Sequence, residues 1–431
     1  MKKIFVLFAM VTCLVFGQTP AKQRMVVVIS LDGFPAYALD DPKLPVPTLR
    51  KLIRNGVTAR MGTMNPTVTW PNHTAIVSGV RSDEHGLLAN GTIQKIGNGP
   101  AVKVEPMLEK EKMVHVPTVY DAAFQAGLTT AQIDWVAIEK AKTITWPFAE
   151  WATPAGAVEQ EMIRKGGISA ADLENFTKSN ILFRDQTWTT AGVHLIREHK
   201  PNLLLFHLLT LDSTHHTYGP GTLAATDAIA FLDSCVARLV DAVHAAGMDQ
   251  NTTFIVVSDH GFKKYTNLVK PAVALEAAGL GKSVFVLAEG GSAYVYFDQS
   301  QTAELTPKVT TALRNAEGID KILGPADFPA MHLPSADKDP QMYQLLLTAK
   351  DGYSFNGATG GPVTAAVPQQ AGSHGYPASD PDMDAIFIAS GYGVKGGGKL
   401  DKIQNVDVAS TLAELLGVKL PGARGKSVPL R

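Results

Sequence analysis

From Met25 to Leu31 the chain reads Met-Val-Val-Val-Ile-Ser-Leu with no polar alternation, and Asp32-Gly33 closes the run. An apolar run of this length, rich in β-branched side chains, predicts a strand buried on both faces, as in parallel sheets. Comparable runs at 203–209, 252–258 and 385–389 predict three more. Between and after them the apolar spacing shifts to the helical period, at Val119–Gln125, 223–246 and Val406–Leu416. Asn405 or Asp407 can cap the last of these, and Gly417 can stop it. Strands alternating with helices predict an α/β fold, doubly wound, with a mostly parallel sheet and helices on both faces. Ligands of such sheets bind outside the carboxyl ends of the strands.

The rhythm breaks over 263–370, where Gly, Pro and mixed polar stretches surround one strand-like piece at 293–297. We expect this stretch to be a cap inserted into a catalytic domain of residues 22–431. Ahead of that domain, Lys2 and Lys3 lead into an apolar run at 4–16, followed by Gly17, Gln18 and Thr19-Pro20-Ala21. The run is shorter than the roughly 20 residues of a spanning helix and suits the apolar region of a secretory signal. Residues 1–21 are therefore expected to be a cleaved signal peptide, and no membrane anchor is expected.

With 431 residues, 45% of them hydrophobic, the chain can bury a large core, which excludes a disordered or fibrous protein. Lys and Arg total 39 against 40 Asp and Glu, and loss of Lys2 and Lys3 with the leader leaves 37. No long run of either sign offers an electrostatic footprint for a nucleic-acid polymer or an anionic membrane surface. An anionic substrate must be held locally. Only Cys13 and Cys235 occur, and Cys13 lies in the leader, so the exported chain would carry one thiol, no disulfide, and rely on its core. Asn72-His73-Thr74 and Asn90-Gly91-Thr92 match the glycosylation acceptor pattern. Both fall among the candidate site residues, where a glycan would block chemistry, so a bacterial periplasmic or secreted location is expected rather than a eukaryotic secretory route.

Three of the strand-like runs end in acids or histidines. The first delivers Asp32, the second Asp212 and His216, and the third Asp259 and His260. A Gly-Ser-His-Gly-Tyr turn adds His374. An Asp-Gly pair alone signals a turn, but polar side chains ending a buried strand need partners. Three Asp and three His at one sheet edge supply hard oxygen and borderline nitrogen donors, a mixture that holds Zn²⁺. Between the first and second groups lies Asn65-Pro-Thr-Val-Thr-Trp-Pro-Asn-His73. Pro71 suits the first turn of a helix running to Ser78, which would put Thr69 just ahead of a helix N-terminus, where an anion is favoured.

This series of motifs, with His85-Gly-Leu-Leu-Ala-Asn90 and the closing stretch 406–421, resembles the alkaline phosphatase superfamily, and within it the type I phosphodiesterase and nucleotide pyrophosphatase branch. The resemblance implies an alkaline phosphatase-like fold and two Zn²⁺ ions. Asp212, His216 and His374 would hold one ion; Asp32, Asp259, His260 and the Thr69 oxygen would hold the other. Thr69 would be the catalytic nucleophile, forming a phosphothreonine intermediate, and Asn90 would hold a phosphoryl oxygen. Trp70 would stack on a nucleotide base. His73 and His85 match positions that are not ligands. His207 stands five residues before Asp212, where this branch often carries Tyr, while Leu209 and Thr210 replace acids and Val68 replaces a Lys.

The expected partner is a small phosphodiester or nucleotide; the oligomeric state is left open. A phosphomonoesterase or phosphonate hydrolase would share the metals and Thr69 but needs a Lys or Arg for the extra charge, for which Lys140 and Lys142 are the nearby candidates. A sulfatase is disfavoured because its nucleophile is Cys or Ser in a pattern with Arg, whereas Thr69-Trp-Pro-Asn-His73 has none. A non-catalytic zinc-binding surface protein would be expected to have lost a ligand or the nucleophile.

Overall fold

The computed structural model describes residues 20–431; the leader segment at 1–19 lies outside the described residues. A nine-stranded sheet forms the centre. Its principal strands are β1 (Met25–Leu31), β2 (Gly56–Gly62), β3 (Thr130–Ile133), β4 (Trp146–Phe148), β5 (Leu203–Leu208), β6 (Thr252–Val257) and β7 (Ala385–Gly391). They lie side by side in the order β2, β7, β6, β1, β5, β3, β4, with two short strands paired to β2. β1 runs parallel to β5 and β6, and β5 parallel to β3. Only β7, wedged between β2 and β6, runs antiparallel to its neighbours.

Every residue of β1 is buried, and its alternation divides the core in two. Val27, Ile29 and Leu31 face one cluster, with Trp188, Leu195, Leu232 and Leu239 from helices Ile181–Glu198 and Leu223–Ala245. Val26 and Val28 face the other, with Ile76, Tyr120 and Leu412 from helices Thr69–Ser78, Val119–Gln125 and Val406–Leu416. At about 1.5–3 kcal/mol for each large aliphatic side chain removed from water, both faces contribute, which is why the strand shows no polar alternation. Asn405 has no side-chain cap bond to the last helix, and Gly417 terminates it in a left-handed conformation.

Two of the expected boundaries differ from the structure. Thr69 is the first residue of its helix and Pro71 the third, so the hydroxyl belongs to the first turn itself. The stretch expected to be irregular beyond Lys263 holds a four-stranded sheet in the order Val284–Glu289, Ser292–Phe297, Leu345–Ala349, Ile319–Leu323. A three-stranded sheet joins Lys263–Val269 to Gly352–Phe355 and Thr364–Ser373. Val286, Val295, Val309 and Leu347 centre a separate apolar cluster there. No helix among the described residues is long and apolar enough to cross a membrane.

Candidate active site

The carboxyl ends of β1, β5 and β6 deliver the acids that the sequence singled out. Asp32 directly follows β1, Asp259 and His260 follow β6, and Asp212 and His216 lie on a helix, Thr210–Tyr218, that begins just after β5. His374 comes from outside the central sheet, one residue beyond the Thr364–Ser373 strand. Gly33 lets these segments meet. Its φ is +66°, a Cβ there would sit 2.9 Å from the Phe262 ring and 3.4 Å from the Asp212 backbone, and its N–H donates to Asp259 Oδ1 at 3.1 Å. A side chain at that position would be strained and crowded at once.

The structure gathers the six donors into two trios, Asp212 with His216 and His374, and Asp32 with Asp259 and His260, the donor atoms of each lying within 4.8 Å of one another. Asp32, Asp259 and His260 are fully buried. Each histidine spends Nδ1 on a backbone carbonyl: His216 on Gly372 at 3.3 Å, His260 on Gly261 at 3.0 Å, His374 on Thr67 at 2.9 Å. A carbonyl can only accept, so Nδ1 carries a proton, and Nε2 is the nitrogen that the neutral ring can offer to a metal. Those Nε2 atoms point at carboxylates, His216 at Asp212 (3.4 Å) and His260 at Asp259 (3.2 Å) and Asp32 (3.5 Å). The His260 and His374 rings stack at 3.9 Å, which places the trios side by side.

Charge in this site calls for cations. Asp32 Oδ1, Asp212 Oδ1 and Asp259 Oδ2 are buried and accept no hydrogen bond. Burial, with the Asp259 and Asp212 carboxylates close by, pushes the Asp32 carboxyl well above the usual range. Burial also pushes His260 down to about 4 and His374 to about 3, so both imidazoles are neutral at physiological pH. Orphaned carboxylate oxygens facing neutral imidazole nitrogens are a poor hydrogen-bonding set and a good ligand set for divalent ions of the zinc kind.

Thr69 opens its helix against the second trio, with Oγ1 3.4 Å from His260 Nε2. His73, one turn on, accepts nothing from the trios; its Nδ1 donates to the Thr69 carbonyl at 2.9 Å and lies 3.6 Å from Asp259 Oδ2. Asn90, exposed, accepts the Trp70 N–H on Oδ1 at 2.9 Å, which leaves its NH₂ as the group free to donate beside Thr69. Trp70 itself is only 7% exposed and packs with Leu87, Met113, Val114 and Val136. Asn72 is fully buried and ties the approach to Thr69 through Pro66 O, Val68 O, Met64 N and Asn405, so its amide is closed to modification. His85 is buried, with Nδ1 accepting the Leu87 N–H. Lys140 lies at the surface, 3.7 Å from Glu109, and Lys142 is exposed.

Three buried side chains to which the motifs gave no role lie behind the candidate ligands. His207, inside β5, lies between Asp32 Oδ2 (3.0 Å from Nε2) and Asp134 (3.0 Å from Nδ1 to its carbonyl oxygen, 3.2 Å to Oδ2). Burial disfavours its charge, yet hydrogen bonds to Asp134 and Asp32 outweigh that and raise its pKa well above the ordinary value. Asp134 is fully buried and adopts a φ of +56°, rare for a residue with a side chain. Asp185, from helix Ile181–Glu198, accepts the N–H groups of Leu209 and Thr210 at 3.1 and 2.9 Å and so fixes the start of the helix that carries Asp212. The available signal was a His in the middle of an otherwise apolar strand, which cannot be buried without partners.

The family model for type I phosphodiesterase / nucleotide pyrophosphatase matches residues 26–377. Rat ectonucleotide pyrophosphatase/phosphodiesterase family member 7 is 23% identical over 424 residues, covering 92% of this chain and 84% of that protein. Mouse member 1 is 24% identical over 420 residues, 91% of this chain and 40% of the longer relative. Among solved structures, murine ectonucleotide pyrophosphatase/phosphodiesterase 5 superposes with a TM-score of 0.73 at 18% identity, covering 94% of this chain and 98% of that one. An inactive variant of that murine protein was solved in complex with AMP.

Proposed function

Because the chain belongs to the type I phosphodiesterase / nucleotide pyrophosphatase family, we propose that it hydrolyses phosphodiester or pyrophosphate bonds of small nucleotide-like substrates with two divalent metal ions, zinc foremost, and Thr69 as the nucleophile. The observation that carries this is the pairing of the two trios, with their orphaned carboxylate oxygens and histidine Nε2 atoms, beside a hydroxyl at a helix N-terminus. Asp212, His216 and His374 would hold one ion; Asp32, Asp259 and His260, with Thr69 Oγ1, the other.

Bound there, a pair of divalent ions neutralises phosphoryl charge and lowers the pKa of hydroxyl and water. Thr69 Oγ attacks phosphorus, giving a phosphothreonine and releasing the leaving oxygen; water then cleaves the new ester and restores the hydroxyl. The Asn90 NH₂ donates to a phosphoryl oxygen as charge accumulates on it, a neutral donor held in place by the Trp70 N–H. The positive end of the Thr69–Ser78 helix adds to the same field. His73 fixes the Thr69 backbone, and His207 fixes the Asp32 carboxylate.

AMP bound to the murine relative supports a nucleotide substrate, and Lys140 engaged with Glu109 at the surface favours a diester over a monoester carrying an extra charge. We read residues 263–370 as a cap on the catalytic domain and the N-terminal segment as a secretory leader of a periplasmic or secreted protein. Relative kcat/KM for an aryl phosphodiester, an aryl phosphomonoester, a dinucleotide and phosphonoacetate tests the proposal. The dinucleotide and the diester should lead; a leading monoester or phosphonate would overturn the substrate class while leaving the metal chemistry.

A further inference from the structure

Helix Ile181–Glu198 ends far from the catalytic trios. His199, which follows it, precedes β5 at the amino edge of the sheet, whereas Asp212 lies beyond the carboxyl edge. Six strand residues at about 3.3 Å each put about 20 Å between those edges. There His194 and His199 converge on Glu161 of helix Ala157–Arg164. His194 Nε2 lies 3.3 Å from Glu161 Oε1 and His199 Nε2 lies 2.9 Å from Glu161 Oε2. All three donor atoms fall within 4.8 Å of one another.

We propose that Glu161, His194 and His199 form a third metal site, for a divalent ion of the zinc class, which staples helix Ala157–Arg164 to the end of helix Ile181–Glu198. Two imidazole nitrogens and a carboxylate, with one position left to water, are a three-ligand zinc set. Donor atoms on a tetrahedral zinc lie about 3.4 Å apart, which follows from ligand distances of about 2.0–2.1 Å, so the trio needs only small side-chain shifts. His194 Nε2 is buried and makes no hydrogen bond, a lone pair aimed at the shared point. The Trp146 ring lies against His199 at 4.7 Å and holds it there. The negative end of the Ile181–Glu198 helix favours a cation at the same place. Lys165 competes for Glu161, with Nζ 3.0 Å from Oε1, but it also pairs with Glu198 and can retire to that partner.

The test is zinc titration by calorimetry into wild-type protein whose catalytic pair is already loaded, beside His199→Ala and Glu161→Gln. Wild type should show one further binding event, absent from both variants, and excess zinc should raise the melting temperature of wild type only. Turnover should stay at the wild-type level in both variants, because neither residue touches the catalytic trios. Absence of the additional event in wild type, or its survival in both variants, overturns the site. Neither outcome depends on which substrate the enzyme cleaves.

Discussion

Replacing His207 by Phe keeps a ring of similar size in β5 and deletes both donors. The side chain is fully buried and Phe is slightly larger, so no cavity is left, and to any overpacking is added the loss of two hydrogen bonds. A hydrogen bond to a charged group contributes about 1.5–3 kcal/mol and a neutral one about 0.5–1.5 kcal/mol. Losing the 3.0 Å bonds to Asp32 Oδ2 and to the Asp134 carbonyl should therefore cost about 2–4.5 kcal/mol in the metal-free protein. The consequence for chemistry is directional. His207 touches Asp32 and neither Asp212, His216 nor His374, so only the trio containing Asp32 loses its orientation. Removing such an outer partner lowers metal affinity about 10–100-fold. Competition against a chromophoric chelator, resolved into two binding steps, should show one weakened step and one unchanged, with kcat falling at limiting metal and recovering in excess. His207→Gln, which retains a donor, should fall between wild type and His207→Phe. Equal weakening of both steps, or of neither, would refute the assignment of His207 to one trio.

Thr69→Ala should lower kcat by three orders of magnitude or more while the purified protein keeps most of its zinc; Thr67→Ala should stay active, since its hydroxyl is committed to the Tyr376 carbonyl, and the opposite ranking would move the nucleophile. Trp70→Ala should reduce kcat/KM for a nucleotide diester about 5–150-fold and spare a small alkyl aryl diester. An equal loss on both, with a fall in melting temperature larger than for Trp70→Phe, would make Trp70 core packing, the role its 7% exposure also allows. Burial pushes the Glu159 carboxyl up to about 7, so its charge costs nothing below about pH 4.5, and the cost grows as pH rises, reaching about 3 kcal/mol above pH 7. Glu159→Gln should accordingly stabilise the protein at pH 8 and not at pH 4, and an equal shift at both would discredit that account.

The four central strands were legible because burial on both faces writes itself as an unbroken apolar run. β3 and β4 were not, being four and three residues long with Gln132 and Pro147 inside them, too short for any periodicity. β2 was hidden by the half-buried Thr58 and Arg60, which break its apolar run. Beyond Lys263 the buried strand Ser292–Phe297 showed as a strand-like piece, whereas the three-stranded sheet escaped because its strands mix buried, half-buried and exposed positions. The candidate ligands were readable as acids and histidines at strand ends, but their mutual distances depend on tertiary placement. Nothing in the local pattern announces that His374 lies over His260, or that Asp134 faces His207 across β3 and β5.

The chain leaves the central sheet at Asp259-His260 and returns to it only after His374, yet β6 and β7 lie side by side, with Ser258 N–H bonded to Ile386 O. Everything between is an excursion whose two doorposts are candidate ligands. Sequence drift inside the excursion can therefore proceed without shifting a strand of the central sheet, whereas any length change at either doorpost would displace a candidate donor atom. Variation in such an architecture is channelled into the middle of the excursion, and its ends are the last places that can vary.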